Sequence, residues 1–221
     1  MNQAELTRNF WEKEIRRGNL CYPHEQVIRF VKHNFKHPEN TRILDFGCGA
    51  GRNTLALLCE GYRVVAMDYA ESAVELTGEK CKAFSEERFD VILNKEFEFE
   101  LENESLDAVV CCGSLAMQSQ GDVLRLLTEI KRVMKKDALV WADFRTVDDS
   151  LYGMGECVDD NYFIMNRTSG FEGSTFTFYT EEMLRRLFSK AGFEVLEIEK
   201  NEITRDNQAK KMSHFEVVGR K

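Results

Sequence analysis

"ILDFGCGAGRN", running from Ile43 to Asn53, is the stretch whose reading decides the fold. An apolar pair, Ile43-Leu44, meets an acid at Asp45, and a turn of small residues follows. Asn53-Thr54-Leu55-Ala56-Leu57-Leu58 then reads as a helix. Together these make a strand, a tight turn and a helix that opens onto a ligand. Gly47, Gly49 and Gly51 occupy the turn, where glycine permits positive φ and lets a ligand approach the backbone closely.

On either side of this stretch the chain alternates between strands and helices. The spacing predicts strands over 42–46, 63–68, 89–94, 106–112 and 138–144, with helices over 52–60, 71–84 and 121–135 between them. Such alternation implies right-handed crossovers and a mostly parallel sheet covered on both faces. The segment Glu96 to Leu101 alternates like a strand but is read as a loop. Thr180 is placed to cap a helix carrying Met183, Leu184, Leu187 and Phe188. Residues 194–199 and 212–218 read as a final hairpin, whose last strand must run against the sheet. Two amphipathic helices are expected before the first strand, one over 3–17 and one opening at Pro23. Residues 146–179, rich in glycine and aromatics, read as an insertion. The chain of 221 residues is thus read as a single domain, 1–221, with cap helices over 1–36 and a lid-like insertion over 146–179.

Ligands of open α/β sheets bind outside the carboxyl ends of the strands. Asp68 closes the strand Val64-Val65-Ala66-Met67 and can accept hydrogen bonds from both hydroxyls of a ribose, so an adenosine-type ligand is expected across the first two strand ends. The spacing discriminates between cofactor classes. A dinucleotide fingerprint, G-x-G-x-x-G, would need glycine where Arg52 stands. A charged Asp45 would also repel a pyrophosphate. Its expected role is to order the turn or to reach a ligand ammonium through water.

"ILDFGCGAGRN" with "VVAMDYAESAV" resembles motifs I and II of the class I S-adenosylmethionine-dependent methyltransferases. The resemblance covers roughly residues 20–145, and "GRN" with "EGYRVVAMD" resembles the tellurite-resistance and small-molecule branch. It implies an α/β, Rossmann-like, doubly wound seven-stranded sheet with helices on both faces, mostly parallel with an antiparallel last strand. It also implies S-adenosyl-L-methionine as cofactor and S-adenosyl-L-homocysteine as product. The cofactor-binding residues it points to are Asp45, Gly47, Cys48, Gly49, Gly51, Arg52, Asn53, Asp68 and Tyr69. After strand three, Asn94 or Glu96 would meet the adenine amine. After strand four, Gly113 and Ser114 would border the methyl group, with Met117 where many relatives carry histidine. Tyr22-Pro23-His24-Glu25 resembles the "Y-P-x-E" that precedes motif I in some small-molecule methyltransferases, which makes Tyr22, His24 and Glu25 the catalytic candidates. Arg145 and Arg167 are weighed between anion recognition and the surface.

Composition bounds the rest. Thirty Lys and Arg stand against 38 Asp and Glu, a formal charge of −8. Phosphate contacts supply most nucleic-acid affinity, so the bulk charge predicts no nucleic-acid partner and a small-molecule acceptor. No apolar run approaches a membrane span, and no secretory signal is visible at the N-terminus. Seven cysteines show no CxxC pair and no metal spacing with histidine, so no metal and a cytoplasmic location are expected. The reading is O- or N-methylation of a small soluble metabolite by direct in-line transfer. Its alternatives are a catalytically silent, cofactor-binding regulatory subunit and an NAD-dependent oxidoreductase.

Overall fold

The computed structural model describes residues 3–17 and 20–221. Expectations for the first two residues, and for the join between the cap helices at 18 and 19, lie outside the described residues. The cap helices are α1 (Gln3–Arg17) and α2 (Glu25–Asn34). Then come β1 (Arg42–Phe46), α3 (Arg52–Cys59), β2 (Arg63–Asp68), α4 (Glu71–Cys81), β3 (Phe89–Leu93) and β4 (Leu106–Cys111). They are followed by α5 (Gln120–Val133) and β5 (Met134–Arg145). An inserted sheet of β6 (Gly155–Asp159), β7 (Tyr162–Met165) and β8 (Thr175–Thr177) precedes α6 (Glu181–Lys190), β9 (Glu194–Arg205) and β10 (Lys210–Arg220).

Seven strands form one sheet in the order β3-β2-β1-β4-β5-β10-β9. The first five are parallel, and β10 is antiparallel to both β5 and β9. The strand order reverses between β1 and β4, which puts the ligand crevice at the carboxyl ends of those two strands. One face of the sheet packs against α5 and α6 through Val109, Leu127, Ile130, Phe144 and Phe188. The other meets α2 and α3 through Val27, Val31, Leu57 and Trp141. Both faces are apolar, so the central strands read as continuous hydrophobic runs.

Local differences from the sequence reading have local causes. Pro23 stands before α2 instead of opening it, and His24 takes the cap position without a side-chain bond. β5 starts directly where α5 ends, and Asp137 in it has φ of +63°. Thr180 caps α6 as expected, accepting from the Met183 amide. The insertion is a three-stranded antiparallel sheet with its own core of Phe163, Met165, Phe176 and Phe178. Trp11 of α1 packs against that core, so α1 and the insertion meet over the crevice.

Candidate active site

The β1–α3 turn is built by close packing. Gly47, Gly49 and Gly51 all have positive φ. A Cβ on Gly47 would overlap the Ser114 side chain, and one on Gly51 would lie 2.8 Å from Thr77 Oγ1. Those two glycines let the turn lie against the β4 loop and α4. Gly49 differs, because a Cβ there would meet no protein atom within 4 Å. Its φ of +54° turns backbone toward open space at the strand ends.

Asp68 is 7% exposed and joins this turn to β2. Its Oδ2 accepts from the Gly49 amide at 2.9 Å and its Oδ1 from the Ala70 amide at 3.0 Å. A carboxylate has about four lone-pair sites, so each oxygen keeps capacity for one ribose hydroxyl. Burial pushes the Asp68 carboxyl up, and the Ala70 and Gly49 amides work against that shift. Asp45 is fully enclosed. Thr54 Oγ1 donates to its Oδ2 at 2.6 Å, while Oδ1 has no partner. Burial pushes its carboxyl up to about 6. A buried acceptor without a donor is costly, and an ammonium group would satisfy it. The Ser114 and Tyr69 hydroxyls are likewise buried without partners at the rim of the same crevice. The Arg8 guanidinium lies 5.8 Å from the Tyr69 ring centre. These residues fit S-adenosylmethionine, since Asp68 could accept from ribose hydroxyls and the free Oδ1 of Asp45 from an ammonium group.

Other residues singled out in the sequence turn to the protein itself. Cys48 is buried with its sulfur 3.7 Å from Thr77 Oγ1. Arg52 reaches the Tyr22 carbonyl and the Cys112 sulfur, and Asn53 accepts from the His24 amide at 2.8 Å. Arg52 and Asn53 thereby anchor the segment leading into α2. The Asn94 backbone amide donates to the Asp68 carbonyl at 2.9 Å, and its side-chain oxygen accepts from the amide of the exposed Glu96.

Beside the Gly113 loop lies a cavity of about 60 Å³, bordered by Trp11, Met117, Asp143, Arg145, Phe176 and His214. The structure does not bring the expected catalytic residues to it. Tyr22 is 85% exposed and Glu25 is exposed, because the segment before α2 is held by its backbone, which turns their side chains outward. His24 is half-buried beside Trp141, ring centres 5.7 Å apart, and does not border the cavity. Burial holds its imidazole below the usual range.

Asp143 and His214 are what the sequence reading missed, and they stand beside Arg145, which it weighed between anion recognition and the surface. Asp143 is buried, accepting from the Gly113 amide at 2.5 Å and facing His214 Nδ1 at 3.3 Å. Burial alone would raise its carboxyl, yet the His214 bond and charge, with the Gly113 amide, hold it below the usual range. The Arg145 side chain is 14% exposed, so it is no surface arginine. It pairs with Asp149 at 2.9 Å and lies 4.9 Å from the Phe176 ring centre. A signal existed: Asp143 is the one ionisable residue in the apolar run Ala138 to Phe144.

Comparison with known proteins agrees with this geometry. Residues 43–137 match the Methyltransferase domain family. The tRNA N(3)-cytidine methyltransferase METTL2 of Gallus gallus is 24% identical over 190 residues, which cover 80% of this chain and 49% of that protein. The chain thus spans about half the length of that relative. Among solved structures, a SAM-dependent methyltransferase from Methanosarcina mazei superposes with a TM-score of 0.72 at 20% identity, covering 86% of this chain and 96% of that one. The 1,6-didemethyltoxoflavin-N1-methyltransferase of Burkholderia thailandensis, with bound 1,6-didemethyltoxoflavin and S-adenosylhomocysteine, gives 0.69 at 19% identity, covering 89% and 77%. The fold is the Rossmann-like fold of these methyltransferases, and the segment 43–137 at its centre carries the methyltransferase-domain match. The tellurite-resistance-like branch gains no support. The expectation of a small-molecule acceptor with no nucleic-acid partner is overturned by the match to tRNA-modifying relatives. Bulk charge was a poor guide because it averages over the whole surface and does not report the charge around one cavity. Among the described residues no helix is long and apolar enough to cross a membrane, and no cluster of metal-ligating side chains occurs.

Proposed function

We propose that this chain transfers a methyl group from S-adenosylmethionine to a nitrogen or oxygen of a planar heterocycle, with a base of an RNA as the acceptor. The observation that carries this is the aromatic cavity beside Gly113, in which Arg145 lies against Phe176. Planar bases stack on aromatic rings and guanidinium planes. The tRNA-cytidine relatives support the choice of acceptor class.

When bound, the cofactor supplies an activated methyl group. What the protein adds is placement, and proximity with orientation can supply roughly 7–11 kcal/mol of barrier reduction. Asp68 would hold the ribose and Asp45 the ammonium end, while Gly113 and Ser114 border the transfer point. The acceptor would enter this cavity between α1 and the insertion, which meet over it. The contacts between them include Trp11 and Phe10 against Phe171, at 6.3 and 6.0 Å between ring centres, and Thr7 Oγ1 to Thr175 Oγ1 at 3.3 Å. Next to them Lys13, Arg17 and Arg167 border a groove of about 270 Å³, with Glu14 and Glu172 also on its rim. Arg17 pairs with Glu14 there, so Lys13 and Arg167 are the bases this groove offers to a phosphate.

The test is transfer from methyl-labelled S-adenosylmethionine to total tRNA, followed by nuclease digestion and separation of the nucleosides. Label in a base supports the proposal. Label absent from RNA and from free nucleosides would overturn it.

A further inference from the structure

Asp143 and His214 stand 71 positions apart and meet because β5 and β10 pair antiparallel, with Glu216 directly opposite Asp143 and His214 opposite Arg145. Side chains two residues apart on a strand share a face, so Asp143, Arg145, His214 and Glu216 project together toward the cavity side of the sheet. Within this group Asp143 faces Nδ1 of His214, while Nε2 is buried and bonded to nothing. The same imidazole borders the cavity beside Gly113. An ionised carboxylate only accepts hydrogen bonds, so Nδ1 carries the proton and the Nε2 lone pair is left without a partner on a ring that borders the cavity.

We infer that His214 is the catalytic base of this enzyme, and that Asp143 is the positioning residue that fixes its tautomer. The inference rests on the methyl-transfer reading above and narrows it, because the acceptor must lose a proton on methylation, either from an exocyclic amine conjugated with the reacting atom or from the methylated atom itself. As that atom forms its bond to the methyl carbon, the methyl–sulfur bond breaks with its electron pair left on sulfur. Nε2 of His214 takes the acceptor's proton. The resulting imidazolium is stabilised by Asp143. Other groups set its electrostatic surroundings: Arg145 across on β5 opposes the imidazolium, Glu216 along β10 favours it, and His24 lies near Asp143. Positioned bases of this kind contribute typically 10²–10⁴-fold.

Nitrogen-15 NMR of the histidine rings tests the arrangement without any turnover. For neutral His214 the Nδ1–H tautomer is expected, with a shift toward Nε2–H in Asp143→Asn, whose amide can donate to Nδ1. A predominant Nε2–H tautomer in the wild type would overturn the inference, since such a nitrogen cannot take a proton. In kinetics, His214→Asn should lower kcat by about 100-fold or more with S-adenosylhomocysteine affinity within twofold of wild type. His214→Ala should regain part of the loss when imidazole is added. Full turnover by a folded His214→Asn protein would likewise overturn it. If the wild type methylates no acceptor, the methyl-transfer reading fails, and the tautomer still decides the dyad on its own.

Discussion

The backbone amide of Gly49 donates to Oδ2 of Asp68 at 2.9 Å, so the glycine turn after β1 and the acid ending β2 form one hydrogen-bonded unit. Asp68 also receives the Ala70 amide, and it is buried. Asp68→Ala should therefore lose ribose binding and also leave two amides without acceptors. We expect a loss of about 1–3 kcal/mol of stability together with at least a tenfold loss of S-adenosylhomocysteine affinity. Urea melts and calorimetry on the same protein separate the two. An unchanged affinity in a folded variant would show that another residue holds the ribose.

Gly47 answers to packing. Its φ of +75° is left-handed, and any Cβ there overlaps Ser114. Gly47→Ala should cost about 2–5 kcal/mol, combining backbone strain with overpacking. Ser114→Gly in the same chain should recover part of that cost by removing the overlapped side chain. Thermal melts of the single and double variants check this, and no recovery would mean strain alone is at work.

Asp45 makes cofactor binding depend on pH. Its folded value, raised to about 6 by burial, lies above the 3.8 of an unperturbed aspartate. The sign follows from linkage: in the free protein this group contributes stability that is present below the unfolded value and lost as pH rises through about 6. A bound ammonium group favours the ionised form, so S-adenosylhomocysteine affinity should fall as pH drops from 7.5 to 5. Asp45→Asn should bind more weakly and lose that dependence. A flat affinity profile in the wild type would place the ammonium elsewhere.

Trp11 couples α1 to the insertion over the cavity. Trp11→Ala should raise KM for the acceptor several-fold and leave S-adenosylhomocysteine affinity within about twofold, because the proposed ribose contact is Asp68, on β2. A variant with wild-type KM would show that α1 does not enclose the acceptor.

Half of this site was legible in the sequence, and the division has a physical basis. The turn at 47–51 and Asp68 declare themselves locally, since glycine at a strand end and an acid closing an apolar run leave few other readings. β1 and β2 have the bounds that periodicity predicts. The cavity beside Gly113 depends instead on strand register. His214 meets Asp143 only through the β5–β10 pairing, which no local spacing encodes. Tyr22 and Glu25 show the converse. Their motif is local, yet the direction of their side chains is set by backbone contacts from Arg52 and Asn53. The insertion was visible as aromatics among glycines, but its three-stranded form arises from pairings across the whole segment.

The most direct measurement is calorimetric titration of S-adenosylhomocysteine and of NAD into the wild type and into Gly49→Asn. A Cβ at Gly49 meets no protein atom, and asparagine tolerates its left-handed φ, so the variant should fold while its side chain occupies the ligand's place. The account predicts S-adenosylhomocysteine binding to the wild type, none or far weaker binding to Gly49→Asn at near wild-type melting temperature, and weaker binding of NAD to the wild type. Equal S-adenosylhomocysteine affinity for the two proteins, or tighter binding of NAD by the wild type, would contradict it.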